Sequence, residues 1–500
     1  MTRGVVATPH YLATEAGAEV LRDGGNAVDA AVAANAVLCV VYPHMTSIGG
    51  DLFALVWPAG AAKPVGVEGA GRSGEGASLE AMRERGFERV MPARGALTVT
   101  VPGTVQAWGR MVERFGRFGM GRVLEPAAAL ARDGYPVTAK LSAFLTHYAN
   151  VLAADPATAP LYPPMKGGMT LRNPDLATVL SVLGRNGFGA FYFGEVGAAI
   201  ADAIQRRNGF LTQSDMALHR AGFVDGVAFE YRDVTVYGLP PPTQGLVALG
   251  MLARLGRVRG AELGPGPEFA DRMRSLREVT YRLRDKYISD PLFSSVPAEP
   301  FLDPDCVIEG AVRQLPEGDT IHLCTADEEG NLVSLTQSLA YSFGSGIVAD
   351  GTGILLQNRG CYFSLDPADV NRLEPRKRTM HTLIPALGAR GGQPWAAFGT
   401  MGGEGQPQIL TQVAVNLIDH GLGPAEAVAA PRVRVAPDGV RLWVEADYPG
   451  AAQLRRGGGD VELLPPLDSR LGHAQAVLVD GPHAWRGGAD PRSDGSVEIV

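Results

Sequence analysis

The sequence predicts a chain of α/β (α+β) class in which helices flank sheets, an arrangement that fits a four-layer αββα sandwich. Three observations carry this expectation. Helical patterns alternate with strand-like pieces along much of the chain. Near the middle, two period-2 runs, Ile321 to Ala326 and Leu332 to Leu339, are joined by turn residues. Further on, a strand through Trp395 to Phe398 passes through a glycine-rich turn into a helix.

The elements follow in order from punctuation and periodicity. Helical patterns cover Ala13 to Arg22, Ala27 to Val41, Val105 to Phe115, Glu125 to Ala131 and Glu268 to Tyr287, with strand-like pieces at Leu52 to Trp57 and Val234 to Tyr237. The run Ala27 to Tyr42 is the longest apolar stretch; it contains Asp29 and Asn35, is too short to span a bilayer, and reads as a buried helix. Asp327-Glu-Glu-Gly330-Asn331 is turn chemistry, so the central pair is a β-hairpin whose loop covers 328–330. The last helix runs through Pro407 to Asp419. The 64 glycines and 36 prolines are spread along the chain, so neither a linker nor a repeat stands out.

Composition sets limits on function. Five hundred residues with 46% hydrophobic content can bury a large core, and length alone suggests about three domains. A net charge of −8 argues against a nucleic-acid partner. Cys39, Cys306, Cys324 and Cys361 form neither a disulfide framework nor a metal pattern, and His44, His322, His381 and His473 are dispersed. Zinc-protease, nucleophile-elbow and EF-hand patterns do not occur, so no cofactor and no metal is expected. The N-terminus lacks the apolar core of a signal peptide, which points to a cytoplasmic protein with no membrane partner.

The hairpin carries a candidate nucleophile. With its loop over 328–330, Ser338 falls opposite Thr320 on one face of the sheet, within reach of a hydroxyl–hydroxyl hydrogen bond unless a bulge shifts the register. Taken alone, Thr320 is one more β-branched strand residue. Were the chain cut just before it, its own α-amine could serve as the base that activates its hydroxyl. That hydroxyl can itself attack the carbonyl of Asp319 and turn the amide into an ester that water cleaves. A second candidate element is the turn Thr400-Met-Gly402-Gly403-Glu-Gly405, where a strand end and a helix start aim backbone N–H groups at one point. In isolation, a Gly-Gly pair there is better read as a turn that needs positive φ.

Resemblance adds to these readings. Gly318-Asp-Thr-Ile-His, Gly330-Asn331, Phe343-Gly-Ser-Gly-Ile-Val and Gly351-Thr-Gly-Ile-Leu-Leu-Gln-Asn358 resemble the start of the small subunit in the γ-glutamyltranspeptidase family of self-cleaving N-terminal-nucleophile hydrolases. Gly24-Gly-Asn-Ala-Val-Asp-Ala-Ala, Pro43-His-Met-Thr-Ser-Ile-Gly-Gly50, Thr100-Val-Pro-Gly103, Pro240-Pro-Pro-Thr-Gln-Gly245 and Ser289-Asp-Pro291 match upstream; Gly399-Thr-Met-Gly-Gly403, Gly472-His-Ala-Gln475 and Asp490-Pro-Arg-Ser-Asp-Gly495 match downstream, all in family order. The resemblance implies one compact αββα unit, cut at Asp319-Thr320 into a large piece (1–319) and a small catalytic piece (320–500) that stay associated. It implies Thr320 as nucleophile, Ser338 as its orienter, and Gly402 and Gly403 as the oxyanion hole.

Substrate residues depart from the family pattern. Arg72, in Glu68-Gly-Ala-Gly-Arg72, matches the family's carboxylate-binding arginine. The carboxylate-binding serine pair aligns with Arg378 and Thr379, and the amine-binding asparagine, glutamine and aspartate align with Ala340, Arg359 and Tyr362. An ammonium beside Arg359 is repelled rather than held. Arg72, Arg359, Arg378 and Thr379 together suggest a small acid with carboxylate or oxo groups and no α-amine. Thr336-Gln-Ser338-Leu, Leu356-Gln-Asn-Arg359-Gly and Lys377-Arg-Thr-Met-His-Thr382-Leu-Ile-Pro385 resemble the oxamate amidohydrolase branch. Arg359 and Arg378 could instead pair with Asp350, Asp366 or Glu404. Three functions stay open: an amidohydrolase or acyltransferase for a small acidic amide, the same machinery acting on an amide or C–C bond of a larger oxo acid, and an uncleaved non-catalytic homologue.

Overall fold

Two antiparallel sheets lie face to face in the computed structural model, which describes residues 2–315 and 318–500. The first has seven strands in the order Ser496–Ile499, Gly4–Thr8, Asp319–Asp327, Leu332–Ala340, Asp51–Trp57, Val65–Gly69 and Gly222–Asp225. The second has six, Ala484–Ala489, Ala474–Gly481, Gln393–Thr400, Ala386–Arg390, Val234–Gly238 and Val227–Tyr231. Each sheet draws strands from both sides of the Asp319–Thr320 bond, so neither side has a complete sheet of its own.

The layers follow from strand periodicity. Ile321, Leu323, Val333 and Leu335 point outward into a core shared with the helices Tyr11–Arg22, Ala27–Val41 and Met120–Asp133. Cys324, Ala326 and Leu332 point inward and meet Leu387, Ala397 and Val477 of the second sheet. Beyond that sheet, Val236, Ala396 and Ala476 pack against the helices Gly245–Leu255, Pro267–Tyr287 and Gln406–Ile418. Helix, sheet, sheet and helix layers result, the four-layer αββα sandwich of N-terminal-nucleophile hydrolases. The helix Ala27–Val41 is buried on every side, and this explains why it is apolar all round. A capping box of Asn26 and Asp29 starts it.

The central hairpin keeps the expected register only in part. Residues Ile321 to Ala326 pair with Gln337 to Leu332, and a bulge between Gln337 and Ala340 then shifts the partner of Asp319 to Ala340. Ala340 takes up the change with φ of 81°. Thr320 and Ser338 are therefore not a regular cross-strand pair, in contrast to the expectation from loop length. The turn is fixed by Asp327, whose Oδ1 accepts from the N–H groups of Glu329, Gly330 and Asn331, while its Oδ2 accepts from the N–H of Ala27 at the start of the buried helix.

Candidate active site

Thr320 is the second residue of its strand, on the inner face and fully buried. Behind it on the same face, His322 packs so closely on Gly399 that a Cβ there would stand 2.4 Å from the ring, a contact that only glycine permits. The hydroxyl of Thr320 accepts from Gln406 Nε2 at 3.2 Å, and Gln406 Oε1 accepts from the N–H of Ile384 at 3.2 Å. Because its oxygen is engaged, the Gln406 amide presents its nitrogen to Thr320, whose hydroxyl oxygen is the acceptor.

The bulge gives Ser338 a different role from the one expected. Its Oγ donates to the carbonyl oxygen of Asp319 at 2.5 Å and accepts from the N–H of Ala340 at 2.7 Å. That carbonyl belongs to the peptide bond just before Thr320. The Asp319 carboxylate accepts from Ser342 Oγ, and Arg94 donates to the carbonyls of Ser342 and Gly344 at 2.7 and 2.5 Å.

The glycine-rich turn lies beside this bond. Gly402 and Gly403 have φ of 137° and 53°, and a short 3-10 turn over Gly403–Gly405 leads into the helix Gln406–Ile418. A Cβ on Gly403 would stand 2.5 Å from the nitrogen of Gly318, so positive φ and close approach both demand glycine here. Met401 donates to the carbonyl of His473 at 3.0 Å, and Asp490 accepts from the N–H of Ala474 at 2.9 Å, tying the two downstream motifs to the back of the turn. A cleft of about 140 Å3 opens here, lined by Phe144, Gly318, Asp319 and Gly402 among others.

The arginines divide into two kinds. Arg72 donates to Asp290 Oδ2 at 2.7 Å and to the carbonyl of Arg376 at 2.9 Å. Arg378 pairs with Glu68, and its backbone N–H donates to the same Asp290 oxygen at 3.0 Å. The carboxylate partners of Arg378 are thus Glu68 and Asp290, and neither Arg378 nor Arg359 pairs with Asp350, Asp366 or Glu404 among the described residues; Asp350 binds Arg206 and Arg207, and Glu404 binds Arg284. Thr379 exchanges hydrogen bonds with Asn371, which also donates to the carbonyl of Tyr362, so its hydroxyl braces a loop. Arg359 is fully buried, donates from Nη1 to Thr382 Oγ1 at 3.1 Å, and lies 5.3 Å over the Tyr362 ring.

Asp51, Gln406, Glu68 and Asp290 are further candidates beside these residues that sequence reasoning did not single out. Glu68 and Asp290 stand inside motifs that match the family, and Gln406 directly follows the glycine turn. Asp51 accepts from the N–H groups of Gly71 and Gly103 at 3.1 and 3.0 Å and lies 3.4 Å from His381 Nε2. Burial raises its carboxyl to about 7, against the pull of Arg359 and these hydrogen bonds. Among the described residues no cluster of three or more His, Cys, Asp or Glu side chains could hold a metal ion, and no helix is long and apolar enough to cross a membrane.

Fold and site together define the class of N-terminal-nucleophile hydrolases, in which a residue at the start of an inner strand faces a glycine turn across the two sheets. Within that class the chain belongs to the γ-glutamyltranspeptidase family, whose profile matches residues 13–500. It is 36% identical to the glutathione hydrolase-like YwrD proenzyme of Bacillus subtilis, over 99% of this chain and 98% of that protein. It is 32% identical to the oxamate amidohydrolase proenzyme of Klebsiella pneumoniae, again over 99% and 98%. The crystal structure of cephalosporin acylase from Bacillus halodurans superposes with a TM-score of 0.91 at 34% identity, covering 99% of this chain and 96% of that one.

Proposed function

We propose that this chain is an amide hydrolase that makes its own nucleophile by cutting the Asp319–Thr320 bond. The observation that carries the reading is the hydrogen bond from Ser338 to the Asp319 carbonyl, with the Thr320 hydroxyl held by Gln406 on the other side of the same peptide unit. Thr320 Oγ1 adds to the carbonyl carbon of Asp319, and its proton passes to the departing nitrogen. The C–N bond breaks, leaving an ester that water hydrolyses to the Asp319 carboxylate, the free hydroxyl and the α-amine of Thr320. Related proteins described as proenzymes support this reading.

In the cut enzyme the Thr320 amine takes the proton of its own hydroxyl, which attacks the substrate amide carbon. The resulting oxyanion lies at the N–H groups of Gly402 and Gly403, which stabilise it. Collapse expels the amine or ammonia, protonated by the Thr320 amine, and water or an acceptor amine then takes the acyl group. The cut releases Ser338 Oγ from the Asp319 carbonyl it binds in the uncut chain, leaving it to orient the new Thr320 terminus.

For substrate we favour the amide of a small acid such as oxamate over a γ-glutamyl compound. Ala340, Arg359 and Tyr362 stand where the family binds an α-amine, and the cleft beside Asp319 and Gly402 measures about 140 Å3. Arg72 and Arg378 are held near each other through Asp290, and Thr379 braces the loop of Asn371 and Tyr362. The relative described as an oxamate amidohydrolase supports the assignment. Purified protein incubated with oxamate should release ammonia, and with γ-glutamyl-p-nitroanilide no nitroaniline; nitroaniline release that persists in Arg359→Ala overturns the substrate reading.

A further inference from the structure

Arg72 and Arg378 are each matched by a carboxylate, whereas the guanidinium of Arg359 has none hydrogen-bonded to it among the described residues. Nη1 is satisfied by Thr382, but Nε and Nη2 have no hydrogen-bond partner there. The hydroxyl of Tyr362, under the same side chain, meets Thr382 without hydrogen-bond geometry. All three residues are buried. Asp51, the acidic group that feels this charge, already serves two backbone N–H groups and Gln357, and its raised pKa leaves it only partly ionised at neutral pH. Buried N–H groups of a cation without acceptors are costly, and a ligand that brings acceptors relieves the cost.

The position of this cluster relative to the scissile bond decides what the ligand is. Thr382 lies two residues before Ile384, whose N–H orients the Gln406 amide that holds Thr320. The backbone of Gly318 fills the gap between Tyr362 and the oxyanion turn: a Cβ on Gly318 would stand 2.7 Å from Tyr362 Oη and 2.8 Å from the carbonyl oxygen of Ala340, and 3.4 Å from Cα of Gly403. The space so covered is that of one glycine residue, a nitrogen, one methylene carbon and a carbonyl, with the Tyr362 phenol beside it and the Arg359 guanidinium 5.3 Å from that ring.

We propose that Arg359, Tyr362 and Thr382 form an anion subsite covered by Gly318 in the uncut chain and opened by cleavage. It takes the carboxylate or oxo group of a two- to three-carbon acid whose amide carbonyl lies at Thr320. Carboxylate recognition thereby shifts from Arg72 to Arg359. This rests on the self-cleavage proposed above.

Oxalate, which has the carboxylates but no amide to cleave, is the probe. Calorimetric titration should show oxalate binding to cleaved wild-type protein, and about ten- to a hundredfold weaker binding to cleaved Arg359→Gln, the loss expected for charge-assisted hydrogen bonds. Tyr362→Phe, which keeps the buried charge and so protects the fold, should bind about fivefold more weakly or worse. Uncleaved Thr320→Ala should not bind. Equal binding by cleaved wild type and both pocket variants, no binding by cleaved wild type, or full binding by the uncleaved variant each overturns the subsite. A wild-type chain that never cuts itself instead overturns the proposed function on which the subsite rests.

Discussion

The hydroxyl of Ser338 donates to the carbonyl oxygen of Asp319 across 2.5 Å, and the N–H of Ala340 donates into the same hydroxyl at 2.7 Å. The β-bulge makes this possible, because in an unbroken ladder Ser338 would have faced Thr320 instead. The result is a relay of donors ending on one particular carbonyl. In the proposed self-cleavage, Ser338 thereby polarises the carbonyl that Thr320 attacks.

Removing that donor isolates its contribution. Ser338→Ala should slow fragment formation by about 10²- to 10³-fold, the cost of losing one donor at a developing oxyanion. A time course on denaturing gels measures it; cutting at the wild-type rate would show that Ser338 has no part in the step.

Gln406 holds the attacking hydroxyl rather than the carbonyl. Gln406→Ala should lower kcat of the mature enzyme while leaving KM within about twofold, because the lost contact acts on Thr320 and not on substrate. Stability should fall by about 1 kcal/mol, since the N–H of Ile384 also loses its acceptor. A rise in KM with kcat unchanged would place Gln406 on the substrate instead.

At Gly403 backbone conformation and packing make the same demand. Its φ is 53°, and a Cβ added there would meet the nitrogen of Gly318 at 2.5 Å. Gly403→Ala should therefore destabilise the chain by more than about 1 kcal/mol and impair cutting. Urea unfolding and fragment analysis test both parts, and a stable, normally cut variant would contradict the geometry.

Six buried histidines set a pH limit. Burial lowers His10 to about 4 and His219, His322 and His473 to about 3, and holds His44 and His381 well below the ordinary range. An unfolded histidine titrates near 6.5, so below that pH the unfolded chain binds more protons than the folded one. Stability should be fully present above about pH 6.5 and fall as pH drops toward 4. Urea midpoints recorded from pH 7.5 to 4.5 should show this decline; a flat profile below 6.5 would contradict it.

Much of the fold could be read because periodicity and burial agree: the helix Ala27–Val41 and the inward and outward alternation of Ile321 to Ala326 both follow from local patterns. The bulge at Ser338 could not be read from the hairpin's loop length, since it lies where Ala340 and Gly318 come close to one another, a contact only the folded chain makes. Site residues divide the same way. Thr320 and the Gly402–Gly403 pair stand out through the family motifs around them, since type and spacing alone leave a strand threonine and a turn. The partners of Arg72 and Arg378 do not: Glu68 and Asp290 come from segments far apart in sequence, and only the folded chain brings them to one place.

The mass of the purified chain tests self-cleavage at Thr320 most directly. Wild-type protein should resolve under denaturing conditions into two fragments, the second beginning at Thr320, while Thr320→Ala remains one chain of 52.6 kDa. A wild-type protein that stays whole, or one cut elsewhere and cut equally in Thr320→Ala, would contradict it.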